Sequence, residues 1–392
     1  MPSSARTPYD RIVAAVPVTI PYVRYSAESA QWWIGRALRA LVEGAGITPR
    51  DIDGLCVSSF TMGPDSGIGL TQHFGLSVRW LDTIPLGGAS AIAALRRAAR
   101  AVQAGDAAIV ACVAGDTNHV DSFRHTLEHF SRFNQDAAYP YGTGGPNASF
   151  ALIARNYMRQ YGARREDFGK IAVSQRANAL RNPHALMKTP LTLEQYLAAR
   201  PIADPIHLFD CVMPCAGAEA FLVMREEVAA SLKLPAAKIL STIERHNAFG
   251  NDPVQFRGGW AADVDELYAM AGVKPEDLDF VETYDDYPMI VMMQLEDLGF
   301  CRKGEGPAFV REHDFTIDGS FPHNTSGGQL SVGQAGAGGA YLGLTEALRQ
   351  VLALAGPTQV KGARLGLASG FGMINYDRGL ATGAAILAGP AA

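Results

Sequence analysis

A repeat fixes more about a fold than any single motif, and this chain carries one. Ala45–Asp53 reads AGITPRDID, and Ala271–Asp279 reads AGVKPEDLD. In each copy a helical pattern ends at glycine, a proline turn follows, and an apolar strand begins. A second matched feature comes in the same order. Gly87-Gly88 feeds an alanine-rich helix from Ala89, and Gly333 to Gly339 feeds another before Leu342. Two matched features in one order imply a duplicated α/β unit, with an N-terminal half over 1–235 and a C-terminal half over 236–392.

The periodicity between these landmarks is β-α-β. Ile12 to Val18 is apolar and β-branched, and Ser26 is placed to cap the helix that follows. Ile34, Leu38, Leu41 and Val42 fall on one helical face, and Ile52 to Val57 reads as a short strand. Ala89 to Ala104 reads as a helix ended by Gly105, and Ala107 to Val113 as a buried strand. This rhythm predicts a mostly parallel sheet with helices on its faces. Residues 116–206 break it. They are rich in aromatics, His, Pro and Gly, include YPYGTGGPNASF, and read as an inserted, partly helical lobe that either carries function or packs.

Composition excludes several classes. Hydrophobic residues make up 48% of 392, enough for a packed core. A net charge of −5 argues against an electrostatic grip on nucleic acid. No apolar run has the length of a membrane span, and MPSSARTPYD has no apolar h-region, so no secretory leader is expected. The cysteines are Cys56, Cys112, Cys211, Cys215 and Cys301. An odd count in a long chain is no disulfide framework, and Cys211 and Cys215 lack a second ligand pair for zinc. No metal site and a reduced cytoplasmic location are therefore expected.

Four segments carry candidate chemistry. In Pro85–Ser90 a glycine pair lets a ligand approach the backbone at a helix N-terminus. In Val281–Pro288 three acidic groups and two phenols sit between a strand and the helix Met289 to Leu298, where α/β folds place ligands; the same residues also suit a helix cap. His323–Gly336 is dense in donors, acceptors and glycines, without the spacing of a P-loop or a dinucleotide fingerprint. Leu367–Tyr376 runs a strand into a glycine-rich loop, and a last strand, Gly379 to Leu387, returns.

These segments, in this order, resemble the thiolase superfamily. The resemblance covers nearly the whole chain and is nearest to the sterol-carrier-protein-x and lipid-transfer-protein branch. It rests on YPYG, RNPHALMKTPLTLEQYLAARPIADPIHLFDC, TYDDYP, QLEDLGFCRKGEG and HNTSGGQLSVGQAG. It implies an α/β thiolase fold with two similar halves in five αβαβα layers, a loop domain at about 116–206, and a dimeric core. Thiolases make or break a carbon–carbon bond beside a coenzyme A thioester with a nucleophilic cysteine. This chain departs from that pattern at each position. Gly88 stands at the nucleophile in Gly88-Ala89-Ser90-Ala91, and Gly333-Gln334-Ala335 replaces Gly-His-Pro. Tyr284-Asp285-Asp286-Tyr287 replaces His-Asp-Cys-Phe, and Leu367-Ala368-Ser369-Gly370 lacks the last cysteine.

Glycine accepts no acyl group, so a ping-pong route is excluded unless another cysteine reaches the site. Cys56, Cys112 and Cys301 fall in segments that read as strand or helix interior. A retro-aldol cleavage needs only a base for a β-hydroxyl and donors for the departing enolate. The resemblance implies such an enzyme, in which tyrosines stand where thiolases use histidine and a small OB-fold, zinc-ribbon partner helps bind the ester. The expected catalytic residues are Tyr284, Tyr341, His323, Asp285 and Gln334. Gly88, Asn324, Ser326, Gly327 and Gly372 are expected to form the oxyanion and coenzyme A site. Tyr341, Tyr284 or His323 would handle the proton, and Asp285 or His323 would relay it, since a free tyrosine titrates near pH 10. A coenzyme A thioester is the expected substrate, with no permanently bound cofactor. The alternatives are an acyltransferase or condensing enzyme that needs a partner subunit, and a non-catalytic acyl-CoA-binding homologue.

Overall fold

Edge-to-edge pairing of two half-sheets produces the architecture. A computed structural model describes residues 7–120, 131, 133, 139–142 and 145–390. Its strands are β1 (Ile12–Val23), β2 (Gly54–Ser58), β3 (Trp80–Thr83), β4 (Ile109–Asp116), β5 (Pro201–Ala203), β6 (Ile206–His207), β7 (Ala216–Arg225), β8 (Ala236–His246), β9 (Phe280–Glu282), β10 (Leu365–Asn375) and β11 (Arg378–Ala388). Nine of them form one sheet in the order β3-β2-β4-β7-β1-β8-β11-β10-β9, and β5 pairs with β6 apart from it. The joint is antiparallel, Val13–Ala15 against Ala236–Lys238. Outward from it the order is palindromic: β7 answers β11, β4 answers β10, and β2 answers β9. Beyond β2 lies the parallel strand β3, and beyond β9 a single parallel bridge joins Val281 to His323.

The sheet is mixed rather than mostly parallel. β2 runs parallel to β3 and β4, and β9 to β10, but β7, β1, β8 and β11 all pair antiparallel with their neighbours. The reason is connectivity: β11 returns from β10 through a tight hairpin, which permits only antiparallel pairing.

The repeated nonapeptides do the same work twice. Asp51 accepts a hydrogen bond from Thr48 N at 2.7 Å, and Asp277 accepts one from Lys274 N at 2.8 Å. The last aspartate of each copy then pins the start of a central strand. Asp53 accepts from Ala108 N and Ile109 N at 2.8 and 2.9 Å, and Asp279 from Arg364 N and Leu365 N at 2.8 and 2.9 Å.

Helices supply the other layers. Ala30–Ala45 covers β1, β4 and β7, while Trp260–Ala271 covers β8 and β11. Ser90–Ala104 and Gly338–Val351 pack on each other and on strands of both halves, so they form the central layer of αβαβα. Their small and aliphatic faces, with Ala91, Leu95, Ala98 and Leu344, Leu348, Val351 buried, share one core. The first helix starts later than Ser26. Ser29 caps it, accepting from Trp32 N at 3.2 Å, and Ser26 instead accepts from Glu28 N in the preceding turn.

Between β4 and β7 lies the inserted lobe, with helices Gly145–Tyr161, Arg165–Arg181 and Leu193–Leu197 and the β5–β6 hairpin. Part of the YPYGTGGPNASF segment, 143–144, lies outside the described residues. The lobe packs on the C-terminal half, against β10, β11 and the helices Pro288–Asp297 and Gly328–Val332.

Candidate active site

The turn Gly87–Ala89 opens the central helix, fixed by Ser90, whose hydroxyl donates to Ile84 O and accepts from Leu86 N at 3.2 Å each. Strand β10 runs directly against this turn. A Cβ on Gly372 would lie 2.0 Å from Leu86 O and 2.7 Å from Gly88 N. A Cβ on Gly88 would lie 2.1 Å from Phe371 O and 2.2 Å from Tyr284 Cζ. The Tyr284 ring therefore fills the place that a side chain at position 88 would take.

Tyr284 follows β9. Its carbonyl accepts from Gln294 Nε2 at 2.7 Å, and Gln294 Oε1 accepts from Ser369 Oγ at 2.7 Å. Its hydroxyl accepts from Gln334 Nε2 at 3.1 Å. Burial, and then the neighbouring Asp286 carboxyl, push the phenol well above its ordinary value. At neutral pH it is an uncharged proton donor.

Gln334 is carried by a loop zipped to the inserted lobe's exit: Gln334 N donates to Met213 O at 2.9 Å, and Cys215 N donates to Gln334 O at 3.0 Å. Close packing explains the loop's glycines. A Cβ on Gly336 would meet Asp116 Oδ2 at 2.2 Å, and one on Gly328 would meet Asp285 Oδ2 at 2.1 Å. Gly327, at φ +103°, has room for no side chain against Ala179.

Asp285 is an anchor. It accepts from Gln329 N at 2.9 Å and Leu330 N at 3.2 Å, and burial outweighs these bonds to raise its carboxyl to about 6. Asn324, at φ +43°, accepts from Thr283 N at 2.8 Å, and Ser326 O accepts from Asn182 Nδ2 at 3.0 Å. His323 is fully buried among Phe315 and Phe321, with Nε2 2.8 Å from Thr283 Oγ1. Burial lowers it to about 3, so it stays neutral at physiological pH. Tyr341 sits in the central layer, 3.4 Å from Ser58 Oγ and tilted against the Phe221 ring at 5.7 Å. The structure thus gathers Gly88, Gly372, Tyr284 and Gln334 in one place, with Asp285 behind them. The contacts of Tyr341 and His323 are with core groups instead.

The sequence reading assigns no role to two residues here, Asp286 and Tyr287. Asp286 is buried, with Oδ1 unpartnered, and its charge acts on Tyr284, Tyr287 and Cys211. Tyr287 donates to Asn147 Oδ1 of the lobe and stacks on Phe150 at 4.0 Å. The signal was present in TYDDYP, but spacing alone does not say which of two adjacent carboxyls is tied down. Cys301 lies in a turn rather than a strand or helix interior. Burial raises Cys211 and Cys301 to about 12, and Cys112 and Cys215 well above the usual thiol value. Among the described residues no cluster of three or more His, Cys, Asp or Glu is placed to hold a metal, and no helix is long and apolar enough to cross a membrane.

The chain is similar to known proteins. A family model described as "Thiolase C-terminal domain-like" matches residues 245–381. A "Steroid side-chain-cleaving aldolase" of Thermomonospora curvata is 33% identical over 339 residues, 80% of this chain and 83% of that protein. A "17-hydroxy-3-oxo-4-pregnene-20-carboxyl-CoA lyase" of Mycobacterium tuberculosis is 31% identical over 332 residues, 78% and 82% of the two chains. The solved "Ltp2-ChsH2(DUF35) aldolase" superposes with a TM-score of 0.83 at 28% identity, covering 97% of this chain and 98% of the other. At this identity and coverage the chain belongs to the thiolase-like superfamily, in the branch of the steroid side-chain-cleaving aldolases.

Proposed function

We propose that this protein cleaves the Cα–Cβ bond of a β-hydroxyacyl-CoA by a retro-aldol reaction, releasing a ketone or aldehyde and a shorter acyl-CoA. The observation that carries this is the overlap between the Tyr284 ring and the space of any side chain at Gly88. An acyl-enzyme at that position has neither a nucleophile nor room. The condensing-enzyme alternative needs a thiolate, and burial disfavours one at Cys112, Cys211, Cys215 and Cys301.

Each group then has a role. The thioester oxygen is held at the Gly87–Ala89 turn, at the N-terminus of the central helix, where backbone donors stabilise an enolate. Asp286 takes the β-hydroxyl proton; burial and Asp285 raise its carboxyl and so strengthen it as a base. The Cα–Cβ bond breaks, and its electron pair passes to the thioester enolate. Tyr284 delivers its proton to the α-carbon, oriented by Gln334, and Asp286 returns the proton to Tyr284. The cycle closes without a cofactor or co-reactant. Asp285 and Asn324 brace the site from behind, while Ser326 and Gly327 pack on the lobe at Asn182 and Ala179. His323 and Tyr341 are given no proton to carry, since their hydrogen bonds lie within the core.

The related solved structure is an Ltp2-ChsH2(DUF35) aldolase, and we propose for this chain a homodimeric core and a small partner protein of the OB-fold, zinc-ribbon type. The test is product analysis on a β-hydroxyacyl-CoA with the chain co-expressed with such a partner. Carbonyl product and acyl-CoA in equal amounts, without added coenzyme A and unaffected by iodoacetamide, support the reading. A requirement for free coenzyme A, or loss of activity on alkylation, overturns it.

A further inference from the structure

Behind Tyr284 lies a small cavity lined by Glu282, Thr283, Tyr284, Asn324, Gln329 and Ser369, among others. Three buried polar atoms of that lining point into it, Glu282 Oε2, Asn324 Nδ2 and Gln329 Oε1; the first and last have no protein partner, and the Asn324 amide turns one hydrogen to Asp285 and leaves the other free. Their residues are 1%, 1% and 2% exposed. Burial and the Glu346 charge raise the Glu282 carboxyl well above its ordinary value, so Oε2 meets a water as acceptor or as O–H donor, and one water molecule satisfies it together with the Asn324 donor and the Gln329 acceptor. A cation does not suit it. Asn324 Oδ1 is committed to Thr283 N at 2.8 Å, so the amide nitrogen faces the cavity.

The same geometry fixes which way the Gln329 amide faces. Its Oε1 faces the cavity and its Nε2 faces Asp285 Oδ1 at 3.4 Å, and Gln329 and Tyr284 line the cavity together. Gly339 makes the room: a Cβ there would lie 2.4 Å from Gln329 Oε1 and 3.0 Å from Gln334 Cγ. Both glutamine side chains that reach Tyr284 therefore pass over one glycine.

We propose that Gln329 is a positioning residue for Tyr284, locked by a buried water that Glu282 and Asn324 hold. The Tyr284 oxygen then accepts from two amides, Gln334 and Gln329. Its own hydrogen is left to point at the substrate beside Gly88. This deepens the retro-aldol reading and rests on it for the identity of the substrate, but the water and the amide orientation do not depend on it.

The groups whose charge faces this network are Tyr284, Asp285, Asp286 and Glu282, with Glu346 behind Glu282 and His323 behind Thr283. The test has two parts. A high-resolution crystal structure of the whole chain is expected to show one water bonded to Glu282, Asn324 and Gln329. An empty cavity, or Gln329 with its nitrogen toward Glu282, overturns the proposal whatever the enzyme's substrate. Gln329→Met is then expected to lower kcat on the order of tenfold. Its KM and the thermal shift by an acyl-CoA should stay unchanged, and the pH profile of kcat should shift. Glu282→Gln, which keeps the shape, is expected to move the same profile less. Wild-type kcat and pH profile in both variants overturn the positioning role.

Discussion

A cysteine at position 88 would need the space of the Tyr284 ring, so residue 88 and residue 284 specify each other. Gly88→Ala is expected to destabilise the fold by about 1–3 kcal/mol through overpacking, read by urea unfolding. Tyr284→Phe keeps the ring and removes the proton. It should lower kcat at least about 100-fold while an acyl-CoA still raises the melting temperature. Full activity in that variant would remove Tyr284 from the mechanism. Asp286→Asn should lose cleavage similarly, whereas Asp285→Asn should chiefly cost stability, because its partners are the backbone N–H groups of Gln329 and Leu330. The four chemistry-bearing segments were legible in the sequence because glycine pairs and clustered polar groups stand out between apolar runs. Roles within them were less legible. Only packing shows that Asp285 is tied down while Asp286 Oδ1 is free, or that His323 and Tyr341 bond to Thr283 and Ser58.

At the scale of elements, the repeat was readable as sequence and the strand directions were not. A β-α-β pattern looks the same whether the next strand enters parallel or returns antiparallel; the β10–β11 hairpin and the β1–β8 joint set the antiparallel centre. That centre buries a charged residue. Glu219 on β7 accepts from Thr19 and Thr345 at 2.8 and 2.7 Å, yet burial raises it to about 7. Its folded value lies above its unfolded one, so the folded chain binds the proton more tightly. The resulting stabilisation is full below about pH 4.5 and is lost as pH rises towards 7. Glu219→Gln should therefore flatten the stability difference between pH 5 and pH 7.5 in urea titrations. An unchanged pH dependence would place the burden on other carboxyls. The first helix offers a simpler check: Ser29→Ala should cost about 1 kcal/mol, and Ser26→Ala less, because Ser29 is the cap.

For the whole molecule, the five layers bring the two glycine-rich turns together at one end of the central helix pair. The inserted lobe closes over them, with Asn147 reaching Tyr287 and Cys215 bonded to Gln334. The most direct measurement is intact-mass spectrometry of the protein quenched while it consumes a β-hydroxyacyl-CoA. Retro-aldol cleavage at the Gly88–Tyr284 site gives an unmodified chain mass throughout turnover. An acyl adduct on any cysteine, formed and discharged at the rate of turnover, would contradict it.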